Sequence, residues 1–445
     1  TYTINGGVGP IVRYNSAADA NDTIVVAAAG GLAGLNLVAG FSSTVQPTNT
    51  GGFTFTTYGG GYTQAAGTFQ GGAYIMNINS IYSSPSSYGD FTITGGTFNA
   101  ASTTQFTGYA SRYDVVSTAT FDDVIFDVGI SMATNDTMVV EGTLTLNNGS
   151  INGTASTLDA QGNVTVASTF DGGTAPLTFS GSAVQTFDLT GATGLFNADI
   201  TINKSGGEVD LLSALVMDAA SQDLIIQEGT IDLSGQNLTV NGTSGTLVAQ
   251  DGGTLKLNGD ETITVNSGNP QLQSGSTIEY AGSGSYTIKG YTYSNITVSG
   301  AGSFTATSGP LTIGKNFTQS VGTFTASGAT TTIAGNITRT GGAFAHNSGT
   351  VELNGSSQTI NDSTTFNNLY KVITSTDTLT FEAGATTTIA GTLTLRGAAS
   401  NLLSLRSSSS GNYSYIDPQG TRSVEYLDVK DSYNSNATAI DSIGH

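Results

Sequence analysis

The chain has 445 residues with 60 Gly, 7 Pro, no Cys and no Trp, and only 10% of it is charged. Its 12 basic against 32 acidic residues give a formal charge of −20, which argues against nucleic acid, because phosphate recognition needs clustered Lys and Arg. The missing cysteines exclude a disulfide framework and thiol chemistry, while recurrent Val, Ile, Thr, Phe and Tyr set the chain apart from disordered sequences.

The chain opens TYTINGGVGP, with no initiator Met and no basic leader segment, and reads as a processed form or a fragment. Residues 1–60 fit the strand pattern found further on least well and are expected to form a cap or assembly segment. Within them the apolar stretch Thr23–Phe41 approaches membrane-span length. It is interrupted by glycines and an Asn and lacks basic flanks or an aromatic belt, so no membrane span is expected. Residues 61–175 read as irregular coils with insertions such as Ser80–Asp90, and residues 176–410 as regular coils. Residues 411–445 form the C-terminal coil or coils, through the strand-like run VEYLDVKDS, and are expected to continue or to dock a partner.

The repeat itself is clearest between Gly302 and Ile360. Three segments, GSFTATSG, GTFTASG and GAFAHNSG, bring Phe304, Phe324 and Phe344 into a register of 20 residues. Ile313, Ile333 and Leu353 follow in the same register, as do Leu311, Thr331 and Val351. Each repeat holds three short runs in which apolar and polar residues alternate, bounded by Gly, Asn or Ser. Upstream the same pattern gives the strands TIDL, NLTV, TLKL, TITV and TIEY between Thr230 and Tyr280. No stretch carries a helical period.

Propeller blades need about 40 residues and antiparallel hairpins, so the short period selects a solenoid. The expected fold is all-β: a single-stranded right-handed parallel β-helix, with about 20–25 residues and three short strands per coil. The Phe and Ile/Leu columns are its core ladders. At that coil length the chain would make on the order of 18–20 coils, stacked at ~4.8 Å into a rod of roughly 90 Å.

The text SGSTIEYAGSGSYTIKGYTYSNITVSGAGSFTATSGPLTIGKNFTQSVGTFTASG, residues 274–328, resembles bacterial secreted haemagglutinin- or adhesin-like β-helix surface exoproteins. The resemblance is one of repeat style and covers about residues 140–430. It implies secretion, a place at the cell surface and adhesive or matrix roles, and it brings no catalytic residues.

The chemistry-bearing residues are few. His346 replaces Ala306 and Ala326 of the repeat, and with only His445 besides it, neither a triad nor a histidine metal site is expected. Polysaccharide hydrolases and lyases on β-helices use carboxylates from adjacent coils, and the set to consider is Asp114, Asp122, Asp123, Asp127, Asp136 and Glu141. Alternation along TFDDVIFDV sends Asp122 and Asp123 to opposite faces and puts Asp123 and Asp127 on one. Arg112 is the only cation nearby. Asp123 and Asp127, and separately Asp428 and Asp431, are the corners at which calcium is a candidate ligand, with no other cofactor expected. Asn237, Asn295, Asn316 and Asn336 stand in glycan-acceptor sequons but also in the G-N-apolar-T text of the coils. Tyr58, Tyr62, Tyr291 and Tyr293 are the aromatic residues that could face a glycan, although tyrosines in such coils are more often half-buried stacks.

Together these readings point to an extracellular structural or adhesive surface protein. Self-association through coil ends, into a homo-oligomeric filament or surface layer, is expected, with surface glycans as candidate partners. A polysaccharide-active enzyme or a non-catalytic glycan-binding protein is the alternative.

Overall fold

A computed structural model gives the fold. It describes the short strands at 2–4, 12–14, 23–26, 35–37, 44–47 and 53–57, and residues 61–80, 89–109, 111–115, 118–189, 191–192 and 197–440. The described chain is all-β and contains no helix, so no helix is long and apolar enough to cross a membrane. It divides into two compact units. The first comprises Thr1–Ile231 with 236–247 and 263–268, and the second comprises 232–235, 248–262 and 269–445.

In the first unit successive coils are laid side by side through parallel strand pairing. Phe106, Phe126, Leu146 and Val166 are lateral neighbours on four consecutive coils. Phe121, Val140, Ala160, Phe179 and Ile202 form a second inward ladder. A third face runs through Tyr62–Gln64, Gly89–Ile93, Ser111–Val115 and Ile130–Met132. One coil therefore reads Asp123–Phe126, Ile130–Met132, Thr137–Val140, and the next reads Leu144–Leu146, Gly149–Asn152, Thr157–Ala160. Strands also pair within the first 60 residues: Ile24 lies between Tyr2 and Val45, and Leu35 lies between Val12 and Tyr62. The remainder of the Thr23–Phe41 stretch is outside the described residues.

The second unit follows the register read from the sequence. Phe304 pairs laterally with Phe324 and Phe324 with Phe344. Ile313 pairs with Ile333 and Ile333 with Leu353. A third column, Ile296, Phe317, Ile337 and Ile360, completes the interior. All of these are buried except Phe344, which is half-buried. Ring centroids of Phe317 and Phe324 are 4.7 Å apart and those of Phe324 and Phe344 5.9 Å, so the columns pack against one another across the coil.

The glycine that opens the second and third Phe segments is fixed by backbone geometry. Gly322 and Gly342 have φ of +67° and +76°, a region that L side chains avoid. A Cβ at Gly322 would stand 2.3 Å from the Gly300 carbonyl oxygen of the preceding coil.

The chain makes about 15 turns, fewer than the 18–20 expected. Some coils are long: Tyr62 and Phe91 are lateral neighbours, as are Leu395 and Val424. The extra residues go into the connections between strands, while each strand stays three to five residues long in most coils.

Because Phe324 is fully buried between two aromatic neighbours, Phe324→Ala should destabilise its coils by about 3–5 kcal/mol. The outward Thr318→Ala should stay within about 0.5 kcal/mol. Urea unfolding with amide hydrogen exchange resolved to residues 296–353 checks both values, and equal effects would remove Phe324 from the core.

Candidate functional site

The polar side chains follow two rules, and both concern the corners where a coil changes direction. The first operates on the outside. The residue just before an inward-facing strand residue is repeatedly Asn or Asp, and its Oδ1 accepts the backbone N–H of the equivalent residue one coil on. Asn316 N donates to Asn295 Oδ1 at 3.1 Å, Asn336 N to Asn316 Oδ1 at 2.8 Å, and Thr359 N to Asn336 Oδ1 at 2.8 Å. In the first unit Asp223 N donates to Asp199 Oδ1 at 2.9 Å and Thr246 N to Asp223 Oδ1 at 2.7 Å. Thr186 N likewise donates to Asn163 Oδ1 at 2.8 Å. Asn and Asp serve alike because the position needs only a carbonyl-type acceptor. This gives the G-N-apolar-T text a structural cause at Asn295, Asn316 and Asn336.

The second rule operates inside. A buried Gln meets a buried cation from a nearby strand, and together they donate to backbone carbonyls at and beside the turns. Gln185 Nε2 donates to the carbonyls of Ala160 and Gly162 at 3.0 and 2.6 Å. Lys204 Nζ donates to Gly181 O and Ala183 O at 2.6 and 2.9 Å, and to Gln185 Oε1. Arg339 repeats the device, with Nε on Gln319 Oε1 at 3.0 Å and its two terminal nitrogens on Ser363 O, Thr364 Oγ1 and Gly342 O. Lys371 Nζ reaches Gly355 O at 2.8 Å, Gln358 Oε1 at 2.9 Å and Asp377 Oδ2 at 2.8 Å. Burial pulls the Lys204 ammonium and the Arg339 guanidinium below their ordinary ranges.

The carboxylates singled out in the sequence are placed by the same needs. Asp123 and Asp127 both face outward, at the start and just past the end of the strand whose inward residues are Val124 and Phe126. Asp123 Oδ1 accepts Thr143 N at 2.6 Å. Asp127 accepts Asn147 Nδ2 at 2.8 Å on one oxygen and Gln105 Nε2 on the other. Asp428 is held by the Arg406 guanidinium, with Ser404 Oγ at 3.4 Å. Asp431, at φ +57°, accepts Gly411 N at 3.0 Å. None of these four lies in a cluster of three acidic or imidazole groups close enough to share one ion, among the described residues.

One expectation is corrected. Asp122 and Asp123 do not point to opposite faces, because the chain bends at Asp122 between two strands. A Cβ at Gly142 would lie 2.8 Å from Asp122 Oδ1 and 2.4 Å from Asp123 Oδ1, so both carboxylates face that glycine on the next coil.

Arg112 pairs with Asp114 at 2.7 Å on the surface. Asp136 is nearly buried and accepts Val115 N at 2.7 Å; burial pushes its carboxyl up. His346 is half-buried and its Nδ1 accepts Ser348 N at 3.1 Å. His445 and Tyr58 lie outside the described residues.

Of the tyrosines weighed as a glycan face against half-buried stacks, those described are buried or half-buried. Tyr62 is fully buried, stacked on Phe91 at 5.2 Å, with its hydroxyl on Gln64 Oε1 at 2.7 Å. Tyr293 is buried with its hydroxyl 2.8 Å from that of Tyr280, and Tyr291 is half-buried, its hydroxyl pushed up by burial to about 12. The exposed aromatic group is elsewhere: Tyr413 and Tyr433 are 55% and 54% exposed, with Tyr415 between them in ring contact with Tyr433. Alternation in Ser414–Pro418, with Ile416 inward, was the sequence signal for Tyr415 and Asp417 facing out.

The fold defines this chain as a parallel β-solenoid protein. Comparison with protein-family models, with curated proteins and with solved structures finds no match.

The inner clamp makes a pH-dependent prediction. Burial alone would raise the Asp377 carboxyl, but hydrogen bonds from Lys371 Nζ, Ser357 N and Thr378 N outweigh it and hold the group below its usual range. A depressed native pKa contributes stability above the unfolded value and loses it as pH falls through the native one. Asp377→Asn, which strands the Lys371 charge, should cost about 3–5 kcal/mol near neutral pH. Melting curves of both proteins from neutral to strongly acidic pH should converge below the usual Asp range.

Proposed function

We propose that this chain is an extracellular structural and adhesive surface protein, a scaffold that acts through its outer faces and not through a reactive centre. The observation that carries this reading is the run of neutral hydroxyl ladders along consecutive coils. Thr297, Thr318 and Thr338 are lateral neighbours on one face, and Thr292, Thr312 and Thr332 on another. Ser303 with Thr323, and Thr287, Thr305 and Thr325, repeat the pattern on a third. Such faces offer regularly spaced hydrogen-bonding groups with almost no charge to select a charged partner. The repeat style shared with adhesin-like exoproteins supports the same reading, as does the engagement of Asp123, Asp127, Asp428 and Asp431 by neighbouring groups.

Coil ends are the assembly surfaces in this proposal. Strands Arg422–Glu425, Leu427–Val429 and Ser432–Asn434 each have a lateral partner on one side only, among the described residues. Beside them an apolar cavity of about 380 Å³ is lined by Leu405, Ile416, Val424, Leu427, Val429 and Ile440, among others. A further coil, from the same polypeptide or from a second copy, would pair with those edges and fill that space.

A polysaccharide hydrolase or lyase acting around residues 110–145 is the competing reading, and the raised Asp136 carboxyl is the observation in its favour. Incubation with a panel of acidic and neutral polysaccharides separates the two. The scaffold reading expects the protein to be retained on insoluble polysaccharide or on cell-wall material, with no new reducing ends and no unsaturated product. Turnover that is lost in Asp136→Asn would replace the scaffold by the enzyme.

A further inference from the structure

The outward positions of unit two are mostly Thr, Ser and Asn, and among the departures one place brings aromatic rings together. On strand Ser414–Pro418 the inward residue is Ile416, and Tyr415 and Asp417 face out on either side of it. Tyr415 is the lateral neighbour of Tyr433 on the next strand, with ring centroids 5.8 Å apart and planes at 70°. Tyr413 joins them, 6.1 Å from Tyr433 at 59°. Three rings thus meet at steep angles and form a notch, with two of them more than half exposed.

A fixed polar rail runs beside the rings. Asp417 Oδ1 accepts Asn436 Nδ2 at 2.8 Å, and Asp417 Oδ2 accepts Gln419 Nε2 at 3.0 Å. Asn436 is itself pinned, because its Oδ1 accepts Arg422 at 2.9 Å and Thr438 N at 3.0 Å. The two amides hold the Asp417 carboxyl below the usual carboxylate range, so it stays charged and remains a strong acceptor. Aromatic faces next to pre-positioned planar acceptors are what a pyranose ring presents partners for: its C–H face packs on the ring and its hydroxyls donate to the rail.

We infer that Tyr413, Tyr415 and Tyr433, with Asp417 and Gln419 beside them, bind a neutral polysaccharide chain. The local charge argues for a neutral ligand. Asp417 and Asp431 would repel uronate or sulfate groups, Arg406 is engaged by Asp428, and Arg422 is turned onto Asn436 and the Pro418 carbonyl. This inference rests on the adhesive reading and gives that reading a ligand class and an address.

The test uses the whole chain with cellohexaose and chitohexaose, measured by titration calorimetry, and with insoluble cellulose and chitin, measured by co-sedimentation. Polygalacturonate serves as the acidic control. Tyr413→Ala combined with Tyr433→Ala should weaken binding to the preferred neutral glycan about tenfold or more. Tyr433→Phe, which keeps the ring, should remain within about twofold, and Asp417→Asn should weaken binding less than the double substitution. Tyr370→Ala, an outward ring on another face, should change nothing, and melting temperatures confirm that the variants fold. If the wild-type chain binds one of these glycans and the double variant binds it equally well, the site is wrong and the adhesive reading stands. If the wild type binds neither these glycans nor cell-wall material, both fail. If the double substitution instead breaks up an oligomer seen by analytical ultracentrifugation, the notch is a copy-to-copy contact and the glycan site is overturned.

Discussion

Everything in this fold depends on how a coil turns a corner without leaving backbone groups unpaired. Straight segments solve the problem by parallel pairing with the coils on either side, but a turn breaks that ladder while part of its backbone stays away from water. The outer answer is the Asn or Asp whose Oδ1 accepts the N–H of the next coil, as in Asn295, Asn316 and Asn336. The inner answer is the Gln and cation pair, as in Gln358 and Lys371 or Gln319 and Arg339. Both are side-chain ladders that extend the backbone ladder around the bend.

This division of labour sets which sign of charge each kind of corner admits. An acceptor at an outer corner can be an amide or a carboxylate, so acidic residues accumulate there at little energetic cost while exposed to solvent. Donors at an inner corner must aim at carbonyl oxygens in a confined space, and a cation offers several N–H groups at once. Lys204 uses three oxygens and Arg339 four, which compensates for removing a charge from water. Cations placed in this way are unavailable to bind phosphate or to act as bases, whatever their number in the sequence.

The sequence was most legible where one residue type repeats in one register. Phe304, Phe324 and Phe344 could be stacked from spacing alone, because a solenoid places equivalent positions side by side. Val124, Leu144 and Val164 keep the same spacing but change identity, and the ladder was less visible in the text. Tyr62 and Tyr293 could be read as a glycan face or as half-buried stacks, because a tyrosine pairs an apolar ring with a polar tip. Their direction is set by strand parity: Tyr62 and Gln64 share the inward face, and the hydroxyl finds its partner there. Asp122 failed for a related reason, since alternation holds only while a strand continues, and the chain bends at that residue. The number of turns was overestimated because connection lengths leave no periodic trace, and some coils carry long ones.

Function, on this architecture, is confined by parity to positions with no other duty. Inward residues fill the core, corner residues close the backbone ladders, and neither can be exchanged without disturbing a neighbouring coil. Outward mid-strand residues touch only solvent and their lateral equivalents, so substitutions there change stability little. The rule that makes Thr318 replaceable is the one that lets Tyr415 and Asp417 stand where the preceding coil carries Thr386 and Thr388. A solenoid of this kind can therefore acquire a binding face by local changes at alternate positions, and the lateral pairing of coils aligns those changes into a row. Departures from the Thr, Ser and Asn pattern on outward positions are then the most informative residues in the chain, and the tyrosine notch on strands Ser414–Pro418 and Ser432–Asn434 is a departure that gathers three rings in one place.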